Sequence, residues 1–283
     1  MAVYKLTYKP YEGPSTPTWS RFLIPARYNY AKLTAIRFLM LFITVSMFYP
    51  IGCAIYVYLS ANTDFLKSLG YAPFAIDGQF FYTFCRVQGV LSFLLMAFIS
   101  PSLMSWDISN GALQLYFCRP FSRFEYVIGK LSVVLPLLSI LTWIPALILF
   151  AIKSSISPWS WTTENWWLAR SVLLGLIVWS VLLSFLGLAI SATLKRRIAA
   201  GAVILCIYFG GAGLAGAINL VMRVESGSLF DISKVNQTIW ADLLRYDNGS
   251  DMSVTSAWIA VVVLMTVCLW LLNRRIRTFE VIK

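Results

Sequence analysis

Hydrophobic positions in this chain come in long blocks, not in the alternating or three-to-four spacing of a soluble domain. Six apolar runs, Phe38–Leu59, Val87–Met104, Leu131–Ile152, Ser171–Leu194, Ile198–Met222 and Thr255–Leu272, stand apart, and the second turns apolar as early as Phe80. Each is about 18 to 25 residues, the length that crosses a hydrocarbon core roughly 30 Å thick. The pattern predicts an all-α polytopic membrane protein with six transmembrane helices across residues 38–272, a lead of residues 1–37 and a tail of residues 273–283.

The polar interruptions carry patterns of their own. In the lead, Pro10, Gly13, Pro14 and Pro17 exclude a helix at first. From Trp19 onward Trp19, Phe22, Leu23, Ala26, Tyr30 and Leu33 fall at helical spacing, with Arg21, Arg27, Asn29 and Lys32 between them. This predicts an amphipathic helix lying in the membrane interface, with Pro25 starting or kinking it. Trp159, Trp161, Trp166 and Trp167 predict a connection set in an interfacial aromatic belt between the third and fourth spans. Gly211, Gly213 and Gly216 in the fifth span, with Ala215 four residues from Gly211, predict a face for close helix packing or for a pathway. Within the outer segment 223–254, Ile232, Val235, Ile239, Leu243 and Leu244 predict one or two short amphipathic helices.

Composition agrees with the pattern. Hydrophobic residues are 59% of the chain and charged residues 12%. The formal net charge of +11 does not indicate nucleic acid, because the basic residues sit at the ends of the apolar runs and form no single patch. With both termini on the cytoplasmic side, the inner segments hold sixteen Lys and Arg and the outer segments seven. By the positive-inside rule that predicts cytoplasmic termini, and a bacterial inner membrane is the expected location. Cys53, Cys85, Cys118, Cys206 and Cys268 show no CxxC pair and are expected to be small buried hydrophobes.

Several chemistries are excluded or made remote. The chain has no histidine, hence no imidazole base, proton relay or histidine metal ligand. Within the six runs as bounded above there is no Asp, Glu, Lys or Arg, so the midplane offers hydroxyls, backbone and the amides of Gln88 and Asn219. No G-x-x-x-x-G-K-[ST] sequence is present to cradle nucleotide phosphates. No enzymatic activity, metal or cofactor is expected on this chain, and energy for uphill transport would have to come from another polypeptide.

The connector Ser105–Leu131 is the longest polar interruption on the inner side. Asp107 or Ser109 is expected to cap a short helix starting near Gly111, which puts Leu113, Tyr116 and Phe117 on one side. Arg119-Pro120 ends that helix. Ser122 and Glu125 form a capping box that starts a second helix through Tyr126, Gly129 and Lys130 into the third span, leaving Arg119 and Arg123 exposed at the turn.

The run from Asp107 to Lys130, D-x-x-x-G-A-L-Q-L-x-x-x-R-P-x-S-R-x-E-Y-x-x-G-K, resembles the loop between spans two and three in permease subunits of ABC-2-type ATP-binding-cassette exporters. Ala112 stands where Ser or Thr is usual there, and Phe121 where a smaller aliphatic is common. The resemblance implies a membrane permease subunit of an ATP-driven exporter that pairs with a second permease, identical or related. Two cytoplasmic ATPase subunits would hold ATP and magnesium. It further implies that Asp107, Gly111, Leu113, Tyr116, Arg119, Pro120, Ser122, Arg123, Glu125 and Lys130 belong to the ATPase-coupling segment. The helix around Trp19, Phe22, Arg27 and Tyr30 would brace it. The alternative is a non-transporting integral-membrane scaffold that docks a cytoplasmic partner through the same loop.

Overall fold

The computed structural model describes residues 21–61, 76–117, 122–194, 196–222, 225–249 and 252–277. Trp19, the Arg119-Pro120 stop and most of the segment between the first two spans lie outside the described residues. So does the end of the tail.

The described residues are helical, with no β-strand among them. The chain runs through α1 (Leu23–Thr34), α2 (Arg37–Ala61) and α3 (Gly78–Leu103). Two short helices follow, α4 (Ser105–Ser109) and α5 (Ala112–Phe117). Then come α6 (Arg123–Leu141), α7 (Trp143–Ile156), α8 (Trp159–Thr193) and α9 (Arg197–Met222). A 3-10 helix (Glu225–Phe230), α10 (Ile232–Leu243) and α11 (Val254–Arg277) complete it. Among the described residues six stretches are long and apolar enough to cross a membrane: α2, α3 with α4, α6 with α7, α8, α9 and α11. The protein is an all-α, six-span membrane bundle.

Burial sorts the spans into two shells. The second, fourth and third bury 72, 61 and 50% of the residues in their most apolar windows, whereas the first, fifth and sixth bury 17, 22 and 17%. The central pillar is α8, whose 35 residues make a rod about 52 Å long. It is longer than expected because the tryptophan stretch, expected as a connection, is its first turns. Trp159 and Trp166 stay exposed there, as an interfacial belt requires, so the aromatic belt is helical instead of looped.

The third span is broken at Thr142, between α6 and α7. Pro145 has no N–H, so the Leu141 carbonyl lacks its helical donor; Gln88 Nε2, reaching across from α3, donates to it instead. Pro136 likewise frees the Ser132 carbonyl, which accepts the Tyr30 hydroxyl at 3.2 Å. Hydroxyls tie the inner shell further: Trp179 Nε1 donates to Ser92 Oγ at 2.9 Å, and Thr142 and Ser180 hydroxyls meet at 3.2 Å. Such bonds matter in a bilayer because association of apolar helices gains little from the hydrophobic effect.

At the outer segment the expected amphipathic helix is present as α10, with Asp231 Oδ1 accepting from the Ser233 and Lys234 amides as its N-cap. Ile232, Val235, Ile239 and Trp240 are buried beneath it. Trp240 wedges between α3 and α8, where a Cβ on Gly89 or Gly175 would come within 2.7 and 2.8 Å of the indole. The residues expected as a small-residue face divide. Gly211 lies under the 3-10 helix, where a Cβ would come within 2.7 Å of the Phe230 carbonyl, and Ala215 beside it is buried. Gly213 and Gly216 have nothing within 4 Å of a Cβ and face outward. Of the cysteines expected to be buried, Cys85 and Cys268 are, Cys53 is half-buried, and Cys206 is exposed on the outward side of α9.

Candidate functional site

One end of the bundle gathers the chain's basic residues. Cross-links place α1, α4, the start of α6, the end of α8 and the end of α11 together there: Ser105 Oγ donates to the Ser191 carbonyl at 2.9 Å, and Arg275 Nη2 to the Thr193 carbonyl at 3.1 Å. Among the described side chains this end carries Arg21, Arg27, Lys32, Arg37, Arg123, Lys130, Arg196, Arg197, Arg274 and Arg275 against Asp107 and Glu125. The opposite end carries Arg86, Lys153, Arg170, Lys234 and Arg245 against Asp77, Glu164, Asp231, Asp242 and Asp247.

The connector begins where α3 breaks at Met104. Helix α4 turns aside, and Gly111, at φ +67°, makes the left-handed corner into α5. A residue with a Cβ adopts that conformation only at a cost, which accounts for glycine at this position. The expected caps for the short helix are not used. Ser109 Oγ donates to the Trp106 carbonyl at 3.0 Å, and Asp107 faces α6 instead. The reason is energetic: Asp107 has a stronger partner than a backbone amide.

That partner is Lys130. Its ammonium lies 2.6 Å from Asp107 Oδ2 and donates to the Leu103 carbonyl at 2.8 Å. Lys130 is 1% exposed and the Asp107 side chain 15%, so the pair is sheltered from water while satisfied on both sides. Tyr126, one helical turn before Lys130, donates its hydroxyl to the same Asp107 Oδ2 at 3.0 Å. An i, i+4 spacing puts Tyr126 and Lys130 on one face of α6, and both converge on one carboxylate. Leu113 of α5 is buried, and the Tyr116 ring stands 5.8 Å from that of Tyr126.

The capping box is present as expected. Glu125 accepts from the Ser122 amide at 2.7 Å, and Ser122 Oγ accepts from the Glu125 amide at 3.2 Å. Helix α6 therefore starts at a fixed residue and runs unbroken from the connector into the third span. Arg123, expected to be exposed, is half-buried.

Helix α1 lies on α6. Gly129 makes room for it, since a Cβ there would come within 2.9 Å of the Phe22 carbonyl. The face of α1 turned inward is Pro25, Ala26, Asn29 and Leu33, while Leu23, Arg27 and Tyr28 are exposed. Asn29, expected among the polar positions, is buried because its Nδ2 donates to the Pro25 carbonyl at 2.7 Å. Tyr30 is half-buried and bonds Ser132, as described above.

Sequence spacing singled out most of these residues but missed Trp106. Its indole stacks between two cations, Lys32 Nζ at 3.2 Å and the Arg197 guanidinium at 4.6 Å from the ring centroid. It thereby joins α1, α4 and α9. A tryptophan two positions into an inner connector was the available signal, but its partners lie 74 and 91 residues away. Burial holds the Lys32 ammonium below the ordinary lysine value; Asp107 opposes that shift and Arg197 adds to it.

Among the described residues no group of His, Cys, Asp or Glu could hold a metal. No protein-family model matches the chain, and no curated protein matches it. Fold and geometry define the class: a six-span, all-α membrane bundle of the form transporter permeases take, with a polar junction that ties its basic-end connector to the third span.

Proposed function

We propose that the chain is the permease subunit of an ATP-driven transporter of the ABC-2 exporter type, oriented with the basic end in the cytoplasm. The observation that carries this reading is the Asp107–Lys130–Tyr126 junction. It makes the transverse helices and the third span one mechanical unit, so that a push on α5 is delivered along α6. The concentration of basic residues at that end supports the orientation. The connector resembles the docking loop of that family, and its motif residues have structural reasons here. Glu125 caps, Tyr126 and Lys130 hold Asp107, Gly129 admits α1, and Gly111 turns the corner. ATP and magnesium belong to separate ATPase subunits, and a second permease would cover the weakly buried first, fifth and sixth spans.

The test is co-purification and turnover. The chain, co-expressed with an ATP-binding-cassette ATPase encoded beside it, should hold that subunit. Arg123→Glu or deletion of Gly111–Phe117 should abolish the association. The reading fails if no such ATPase binds, or if it binds equally well to the deletion variant. A scaffold would bind a partner without substrate-stimulated ATP hydrolysis in the reconstituted complex.

A further inference from the structure

Between α3 and α9, at the basic end, lies an open groove of about 1120 Å³. Its floor is apolar, with Phe98 and Pro101 on one wall and Ile198, Ala202 and Leu205 on the other. At Gly201 the two helices approach closely: a Cβ there would sit 3.3 Å from the Ala97 carbonyl. Pro101, having no N–H, leaves that carbonyl without its helical donor. The mouth is basic and hydroxylated, with Arg196, Arg197, Ser102 and Ser109 among the lining residues and no carboxylate among the described ones. The two arginines also stand at the start of α9, whose first turn contains no acidic residue. Positive charge at the positive end of a helix dipole is unfavourable unless an anion offsets it.

We propose that this groove holds one anionic phospholipid, its phosphate between Arg196 and Arg197 and an acyl chain along the Phe98–Leu205 floor. Charge complementarity selects the occupant. A second copy of this chain would bring its own basic end to a basic mouth, and a zwitterionic lipid would set its own cation beside the two guanidiniums. Basic pockets between spans are a general means of holding anionic headgroups. Trp106 ties the site to the coupling junction, because its ring stacks on Arg197 and the neighbouring Asp107 holds Lys130. Lipid binding at the mouth would therefore steady the helix that carries Asp107. The proposal depends on the groove and its arginines, not on ATP coupling, so either idea can fail alone.

The test uses the full chain, purified in detergent and stripped of lipid, with phosphatidylglycerol and phosphatidylcholine titrated separately and followed by native mass spectrometry. Wild type should retain one phosphatidylglycerol at least tenfold more tightly than phosphatidylcholine. Arg196→Gln with Arg197→Gln should remove that preference, and Ala202→Trp, which fills the groove, should weaken phosphatidylglycerol tenfold with both arginines present. Should Ala202→Trp not fold, Ala202→Cys in a Cys206→Ser background replaces it; phosphatidylglycerol should slow its maleimide labelling, and phosphatidylcholine should not. Equal affinity for the two lipids, undiminished binding to a folded Ala202→Trp chain, or unprotected labelling would overturn the proposal. So would displacement by millimolar inorganic phosphate, which marks a free-anion site, or cross-linking of two Ala202→Cys copies through the introduced thiol that excludes lipid.

Discussion

Replacing Lys130 by methionine tests the junction most directly. Methionine keeps the aliphatic stem and its packing but removes the ammonium that lies 2.6 Å from Asp107 and 2.8 Å from the Leu103 carbonyl. Asp107 is then left with the Tyr126 hydroxyl as its remaining described hydrogen-bond donor, in a side chain only 15% exposed. Removing one member of a buried ion pair typically costs about 3–5 kcal/mol, because the other charge stays desolvated. Asp107 retains some contact with solvent, so a loss of about 3 kcal/mol is expected, roughly a 150-fold shift in the unfolding equilibrium.

Equilibrium unfolding in mixed micelles, followed by far-ultraviolet circular dichroism, measures that loss. Asp107→Asn alone should also destabilise, since it leaves a buried ammonium facing a neutral amide. The double variant removes both charges and should recover about 2 kcal/mol relative to the sum of the singles, the coupling expected of residues in direct contact. If each single variant loses less than about 0.5 kcal/mol and the double is additive, the pair does not hold the connector to α6. The mechanical argument would then be wrong.

Gly129→Leu should lift α1 from α6, at a cost of about 1–3 kcal/mol, and expose the bonds after Arg21 and Arg27 to trypsin; unchanged digestion would refute the packing. Trp106→Leu removes the ring shared by Lys32 and Arg197 and should cost about 1 kcal/mol, with Trp106→Phe in between. Gln88→Met leaves the Leu141 carbonyl without its donor, at about 1 kcal/mol. Pro145→Ala should suppress that loss by restoring a helical N–H, and the same loss in both backgrounds would show the two to be independent. Stability should be flat from pH 6 to 8, since the chain has no histidine. Lys32 has a folded value below its unfolded one, so the folded state binds fewer protons, and its contribution makes stability rise as pH climbs through the interval just beneath 10.5. A fall across that interval in wild type that vanishes in Lys32→Gln would contradict the shift.

What could be read from the sequence was what is local. Six spans, the Ser122–Glu125 box and the amphipathic α10 each depend on residues within a turn or two of one another, so spacing alone reveals them. The misses are contacts between segments. Trp106 carries no local signal because Lys32 and Arg197 are far from it in sequence. Asp107 looked like a cap because capping is the local option for an aspartate before a helix, and the distant lysine offers more. Asn29 falls among the polar positions between the apolar ones, yet it is buried, its amide bonded to a carbonyl inside its own helix. Lys130 stands in the sequence as a motif residue of the connector, and only the contact with Asp107 across from α4 shows it to be a buried partner.

The prolines make the same point in physical terms. Each intramembrane proline leaves a carbonyl four residues earlier without its donor, and in hydrocarbon that group cannot turn to water. Pro145 by its position alone therefore implies a donor for Leu141, and Pro136 implies one for Ser132. What the sequence does not say is which side chain will answer. Gln88 and Tyr30 do so, and each lies on a different segment from the helix it serves. The two bonds are also where the inner shell is fastened: one holds the second span to the break in the third, and the other holds α1 to the same helix that carries Tyr126 and Lys130. A movement started at the connector would travel along a helix whose backbone is pinned at Ser132 by α1 and released at Thr142. The segment α6 is thus the natural rigid lever, and Thr142, held by Ser180 and flanked by Gln88, is the place where it would bend.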